Sequence, residues 1–317
     1  MTYSTGNLIQ ATDYNGFVST TVGANINATW NTAYGQTALS TVAAGGTVTA
    51  TQWATLNTTI SSMASQQGTT ITSRTNPVAG NIISALANVN TDITNCYTNR
   101  ANAAAQGTQF TGWTGTASKT TATGTGNAAW NITFTNTITF ANTNAANNFF
   151  NAGGMFKTQF SKTSTGTGQD TEWNSFVNTI CGTIYLTSTG ASKTLSGNTY
   201  TGTTKDGGTG TPTILTTSTG FAQLTSTPVT IYKQFDTSTP YTSNFVQINA
   251  SVSGAVLTLT SVWYDNGDLN QSNISGGTAT TGITFGTAPT TVVTYYPPST
   301  TYLANTWGAV TVASSVA

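Results

Sequence analysis

The acidic pair in the middle of the chain is Asp170 and Glu172, and Glu172 is the sole glutamate. Two carboxylates can serve as general acid and base across a glycosidic bond, so this pair defines the hydrolytic chemistry on offer. Its spacing favours a plainer role. Residues two apart do not face each other on a helix, and acidic side chains opening a helix are expected from capping and the macrodipole. Asp265-Asn266-Gly267-Asp268-Leu269-Asn270 carries the oxygen donors that calcium takes. It lacks the spacing and the closing glutamate of an EF-hand loop, and Asn-Gly after a strand is a turn signal. Serine is abundant, but the chain has no histidine to activate one, no Gly-x-Ser-x-Gly elbow and no phosphate-binding loop. Cys96 and Cys181 are too few for a disulfide scaffold or a thiolate zinc site, and both are expected to be small buried side chains. Asn27, Asn57, Asn131, Asn249 and Asn273 begin Asn-x-Ser/Thr triplets, which a chain so rich in Asn and Thr forms by chance. No catalytic residue, cofactor or metal is expected.

The elements that would position these groups fall into two regions. Residues 1–100 predict helices. Asn76 suits an N-cap and Pro77 a first helical residue, after which Ile82, Leu86, Val89, Ile93 and Tyr97 mark one helical face. A second helix is expected from Thr51 as N-cap through Trp53, Leu56, Ile60 and Met63 to Gly68. A weaker third begins at Asp13 and uses Tyr14, Phe17, Val18 and Val22, and Gly45-Gly46 marks a turn. The three-four spacing also suits pairing with another chain. Trp53, Leu56, Ile60, Ile82, Leu86, Val89 and Ile93 are therefore the candidate oligomerisation residues.

Residues 101–129 read as a Gly/Thr-rich linker or irregular segment, and 130–317 as a β-rich outer domain. Trp130, Ile132, Phe134, Ile138 and Phe140 alternate with polar residues. Strands are expected over 229–235, 245–252, 255–263, 291–296 and 309–316, with Ser253-Gly254 as a hairpin turn and Pro297-Pro298 as a break. A helix capped by Thr171, with Trp173, Phe176, Val177 and Ile180 as its stripe and Gly182 at its end, interrupts the series. The expected fold class is α+β, a small amino-terminal helical module followed by a mainly antiparallel β-sandwich-like domain.

Composition narrows the function classes. Charged residues make up 5% of the 317, against roughly a quarter in ordinary soluble domains. With eight basic and eight acidic residues scattered singly, no patch is expected to hold nucleic acid or anionic lipid. No apolar run reaches spanning length, and the first residues lack the basic start and apolar core of a secretion signal, so synthesis in the cytoplasm is expected. The chain is 37% hydrophobic with seven Trp, which argues for a folded core rather than disorder. Zero net charge on a surface of hydroxyls and amides favours self-association.

Three groups of segments carry a resemblance. The first is Ala11-Thr-Asp-Tyr-Asn15, Tyr34-Gly-Gln36 and Thr47-Val-Thr-Ala-Thr-Gln-Trp53; the second is Asn148-Phe-Phe-Asn-Ala-Gly-Gly154 with Thr171-Glu-Trp173. The third is Pro240-Tyr-Thr-Ser-Asn-Phe-Val-Gln-Ile248, Val256-Leu-Thr-Leu-Thr260 and Trp263-Tyr-Asp265. In this order they resemble a family of virion structural proteins of tailed bacteriophages, especially marine cyanobacterial phages. The resemblance implies a structural component of the virion and brings no catalytic residues. A tail fibre or tail-associated appendage is expected, self-assembled as a homo-oligomer, with a trimer suiting a fibre, and in contact with other virion proteins. The alternatives are a carbohydrate-binding adhesin contacting a host surface glycan, a capsid decoration protein, a filament subunit, and a depolymerase using Asp170 and Glu172.

Overall fold

The computed structural model describes residues 10–19, 24–78, 86–110, 112–116, 130–164, 168–190, 192–239, 241–266 and 289–317. The expected α+β class holds: helices occupy the amino-terminal region and the strands that follow pair antiparallel.

Four helices come first: α1 (Ala11–Val18), α2 (Ile26–Trp30), α3 (Ala50–Gln67) and α4 (Leu86–Thr98). Helix α1 starts ahead of Asp13, whose carboxylate accepts the Gln10 backbone N–H at 3.1 Å. The cap of α3 is Thr49, not Thr51. Thr49 Oγ1 accepts from the Gln52 N–H, and Gln52 Oε1 accepts from the Thr49 N–H at 2.8 Å; this reciprocal box satisfies two backbone donors at once. Gly68 closes the helix as expected, in the left-handed conformation with φ 72°. Pro77 and Val78 lie outside any helix, so Asn76 and Pro77 do not form the start expected of them. Ile82 falls outside the described residues.

The strands follow as β1 (Trp113–Thr116), β2 (Trp130–Thr139), β3 (Met155–Ser161), β4 (Thr183–Leu186), β5 (Lys193–Leu195), β6 (Asn198–Tyr200) and β7 (Thr203–Asp206). Then come β8 (Ile214–Leu215), β9 (Val229–Phe235), β10 (Phe245–Ser253), β11 (Val256–Asp265), β12 (Thr290–Tyr296) and β13 (Thr311–Val316). Helix α5 (Thr143–Asn151) precedes β3, and α6 (Gly168–Ser175) precedes β4 and continues as a π-helical turn over Phe176–Ile180. One sheet runs β1-β12-β3-β4-β7, a second β13-β2-β11-β10-β9-β8, and β5-β6 is a small hairpin.

Alternation builds the core. In β11 Leu257, Leu259 and Trp263 point inward, while Thr258, Thr260 and Tyr264 stay half-exposed. The hairpin turn before it is Gly254-Ala255, one residue later than Ser253-Gly254. The two sheets meet face to face where the Phe160 ring of β3 lies 6.2 Å from Trp263 and 6.4 Å from Tyr232. Helix α6 begins before Thr171, so Thr171 is not its cap. Its stripe is the expected one: Trp173, Phe176, Val177 and Ile180 are buried, and Trp173 stacks on Trp263 at 5.7 Å.

Packing does not respect a division at residues 101–129. A single apolar cluster joins Trp53, Leu56 and Ile93 of the helices to Phe134, Phe156 and Trp263 of the sheets. Residues 101–110 are a seam rather than a linker. Ala103 is buried, its N–H donating to the Ser192 carbonyl and its own carbonyl accepting the Thr194 N–H. Strand β1 is the outer strand of the first sheet, and residues 117–129 lie outside the described ones.

Candidate functional site

The candidate oligomerisation stripe is spent inside the chain. Trp53, Leu56, Ile60, Val89 and Ile93 are all buried. Trp53 packs edge-on to Tyr14 at 6.0 Å and beside Phe17 at 5.9 Å, and Ile60 and Ile93 join the shared core. Leu86 begins the described part of α4. Short amphipathic helices need a partner for the apolar face, and here they find it in one another and in the sheets. Those five residues therefore cannot present a surface to another copy.

The acidic candidates are rearranged as well. Asp170 opens α6, but its side chain is outside the described ones. Glu172 stands against Asp236, a residue 64 positions away that no local spacing connects to it. Burial pushes the Asp236 carboxyl up to about 7; the Ser238 and Thr237 backbone N–H groups oppose the rise and Glu172 adds to it. Asp265 is buried and accepts from Trp173 Nε1 at 3.2 Å and Asn244 Nδ2 at 3.1 Å, while Asn244 Oδ1 takes the Asn266 N–H at 3.0 Å. Its visible role is to lock α6 and the 241–244 turn to the end of β11. The remainder of the Asn266-Gly267 loop lies outside the described residues, among which no cluster of three or more His, Cys, Asp or Glu side chains could hold a metal.

Cys96 and Cys181 are both buried, free thiols. Desolvation pushes Cys96 up to about 12 and Cys181 upward also, so both stay protonated and unreactive near neutral pH. Lys193 is a buried cation, its ammonium donating to the carbonyls of Ala101 and, at 3.2 Å, Asn151. Burial lowers its pKa to about 7.

A concave site lies elsewhere among the described residues. A cleft of about 680 Å³ is bounded by Asn31, Thr32 and Gly35 after α2, by Asn142, Asn144, Ala145, Asn147 and Asn148 of α5, and by Thr306. Local sequence explains why α5 presents amides here. Asn142 Oδ1 caps the helix by accepting the Ala145 N–H at 2.9 Å. Ala146, Phe149 and Phe150 then face the core, which turns Asn144, Asn147 and Asn148, at i, i+3 and i+4, toward the opposite side.

The facing wall is fixed by neutral hydrogen bonds. Gln36 exchanges two with Ala304, giving its Nε2 to the carbonyl at 2.9 Å and accepting the N–H at 3.0 Å. Thr306 Oγ1 donates to the Tyr34 carbonyl at 2.6 Å, and Asn31 Nδ2 to the Gln36 carbonyl at 2.7 Å. Gly35, at φ 68°, lies so close to the Asn148 amide that a Cβ would come within 2.1 Å of Nδ2. Asn148 is only 8% exposed, and its carboxamide makes no hydrogen bond within the described chain.

Sequence reading singles out Asn148 and Gly35 only as parts of separate motifs, and it assigns no helix to 143–151. The signal was present: an Asn cap followed by Ala145-Ala146 and Phe149-Phe150 at a spacing of four. No family model, curated protein or solved structure matches the chain.

Proposed function

We propose that the chain is a non-enzymatic structural component of a tailed-phage virion, a homo-oligomeric tail fibre or tail-associated appendage. The ordered segments that resemble such proteins support this reading, as does a surface nearly free of charge. With the helical stripe consumed internally, self-association has to use another surface, and the observation that carries the proposal is strand β13.

Strand β13, Thr311-Val-Ala-Ser-Ser-Val316, is the outer strand of the six-stranded sheet and is exposed along most of its length, although β1 of the facing sheet lies nearby. It contains no Lys, no Pro and no charged side chain, and its pairing with β2 runs without a register shift. Natural proteins blunt free edges with those devices; their omission suits an edge that pairs with another copy. Thr133 and Ala317 exchange both backbone hydrogen bonds, at 2.8 and 2.9 Å. By antiparallel alternation Val312, Ser314 and Val316 therefore aim their N–H groups away from β2.

Sedimentation equilibrium tests this directly. The parent is expected to form a closed oligomer, a trimer in a fibre, and Val316→Pro, which removes one outward donor and leaves the β2 ladder intact, to shift it toward monomer at unchanged thermal stability. A parent that stays monomeric at its highest soluble concentration and is absent from purified particles by mass spectrometry overturns the reading. Contact with a glycan is the second reading, favoured by the amide-lined cleft.

A further inference from the structure

We propose that the cleft between the α2 turn and α5 is a binding site for a neutral saccharide unit, held by the carboxamides of Asn144, Asn147 and Asn148. The inference deepens the glycan-contact reading and does not depend on the chain belonging to a virion.

Chemistry selects the ligand class. Each free carboxamide offers two N–H donors and an acceptor oxygen, a combination that matches vicinal hydroxyls, which both donate and accept. The lining residues include no charged side chain and no aromatic ring. An anion would find no cation there, and an apolar ligand would desolvate amides without replacing their hydrogen bonds. At about 680 Å³ the cleft falls within the size range of small-molecule sites.

Asn148 distinguishes this cleft from an ordinary polar hollow. The residue is 8% exposed, and its amide lines the cleft with no hydrogen-bond partner among the described residues. An amide held at the wall of a cleft with its hydrogen bonds unmade can give them to a ligand. Gly35 carries no side chain to cover it, and a Cβ at that position would collide with it. The two residues arrive from sequence positions more than a hundred apart, and the Gln36–Ala304 and Thr306–Tyr34 hydrogen bonds fix the wall opposite α5. The site is thus built before a ligand arrives, and order already present lowers the cost of binding.

Saturation-transfer NMR on the full-length chain tests the proposal, with glucose, galactose, mannose and N-acetylglucosamine as neutral probes and glucuronate as the anionic control. Transfer to at least one neutral sugar is expected, with none to glucuronate. Asn148→Ala is expected to weaken the response about tenfold, the loss of one or two hydrogen bonds. Asn147→Ala, at an exposed position with no packing role, is expected to weaken it several-fold and keeps the test valid if the Asn148 variant fails to fold. No transfer to any neutral sugar, or transfer unchanged in folded Asn148→Ala and Asn147→Ala, overturns the site whether the parent is monomeric or oligomeric. A stronger response to glucuronate overturns the ligand class.

Discussion

Lys193 and Asp236 show how much a single ionisable group matters in a chain with so few. Lys193 has a folded pKa of about 7 against 10.5 when exposed, because burial penalises its charge. Between those values the unfolded chain binds more protons than the folded one, so stability rises with pH from about 7 upward. One proton limits the slope to about 1.4 kcal/mol per pH unit. Thermal melts from pH 7 to 8, below the pH at which the thiols ionise in the unfolded chain and begin to oppose it, are expected to show the rise, and Lys193→Met to abolish it. A parent with no slope would contradict the burial of this cation. Asp236 has the opposite sign: raised from 3.8 to about 7 by burial and by Glu172, it keeps a proton that the unfolded chain has lost. Its contribution is therefore present below about pH 4 and falls away as pH rises to about 7. Asp236→Asn, which imitates the protonated carboxyl in shape and donor capacity, is expected to remove that fall and to melt no lower than the parent at pH 7. A lower melting point at pH 7 would mean that Asp236 works as a carboxylate.

At the scale of elements, an apolar stripe says that a helix must be covered without saying what covers it. The spacing of Trp53, Leu56, Ile60, Val89 and Ile93 fits a partner chain and an internal core equally well, and long-range packing decided for the core. Leu56→Ala and Ile60→Ala are accordingly expected to lower folding stability by about 2–5 kcal/mol in denaturant titrations without changing the oligomeric state. Dissociation into a folded monomer would restore the stripe as an interface. The strands were legible where Val, Ile and Phe alternate with Thr, as in β9 to β11, because period two is a local signal. Helix α5 was not, because its outward face is made of asparagines that individually read as loop residues. Only the pairing of the Asn142 cap with Phe149 and Phe150 in the core reveals it. The cleft was hidden for a related reason. Its walls come from residues 31–35, 142–148 and 306, and no local pattern announces that they meet.

Across the whole molecule, amides take over work that ion pairs do elsewhere. Gln66 donates to the carbonyls of Ala105 and Ala152, and Gln67 to Tyr34 Oη and the Cys96 carbonyl, so two adjacent glutamines fasten α3 to the 101–105 seam, the end of α5 and α4. Tyr34 Oη continues the chain by donating to the Arg100 carbonyl at 2.8 Å. Among the described residues the ion pair is Arg74 with Asp92, and both side chains are largely buried. Exposed ion pairs weaken as the Debye length falls from about 10 Å at 0.1 M salt to about 3 Å at 1 M, whereas buried contacts and neutral hydrogen bonds are screened far less. A protein held together in this way should be indifferent to salt. Melting temperature and the sedimentation profile of the proposed oligomer are both expected to stay constant from about 0.1 M to about 1 M sodium chloride, and sodium sulfate to strengthen association by raising the effective value of burial. Dissociation by sodium chloride would show that the few scattered charges hold the copies together, and the neutral edge of β13 would lose its role.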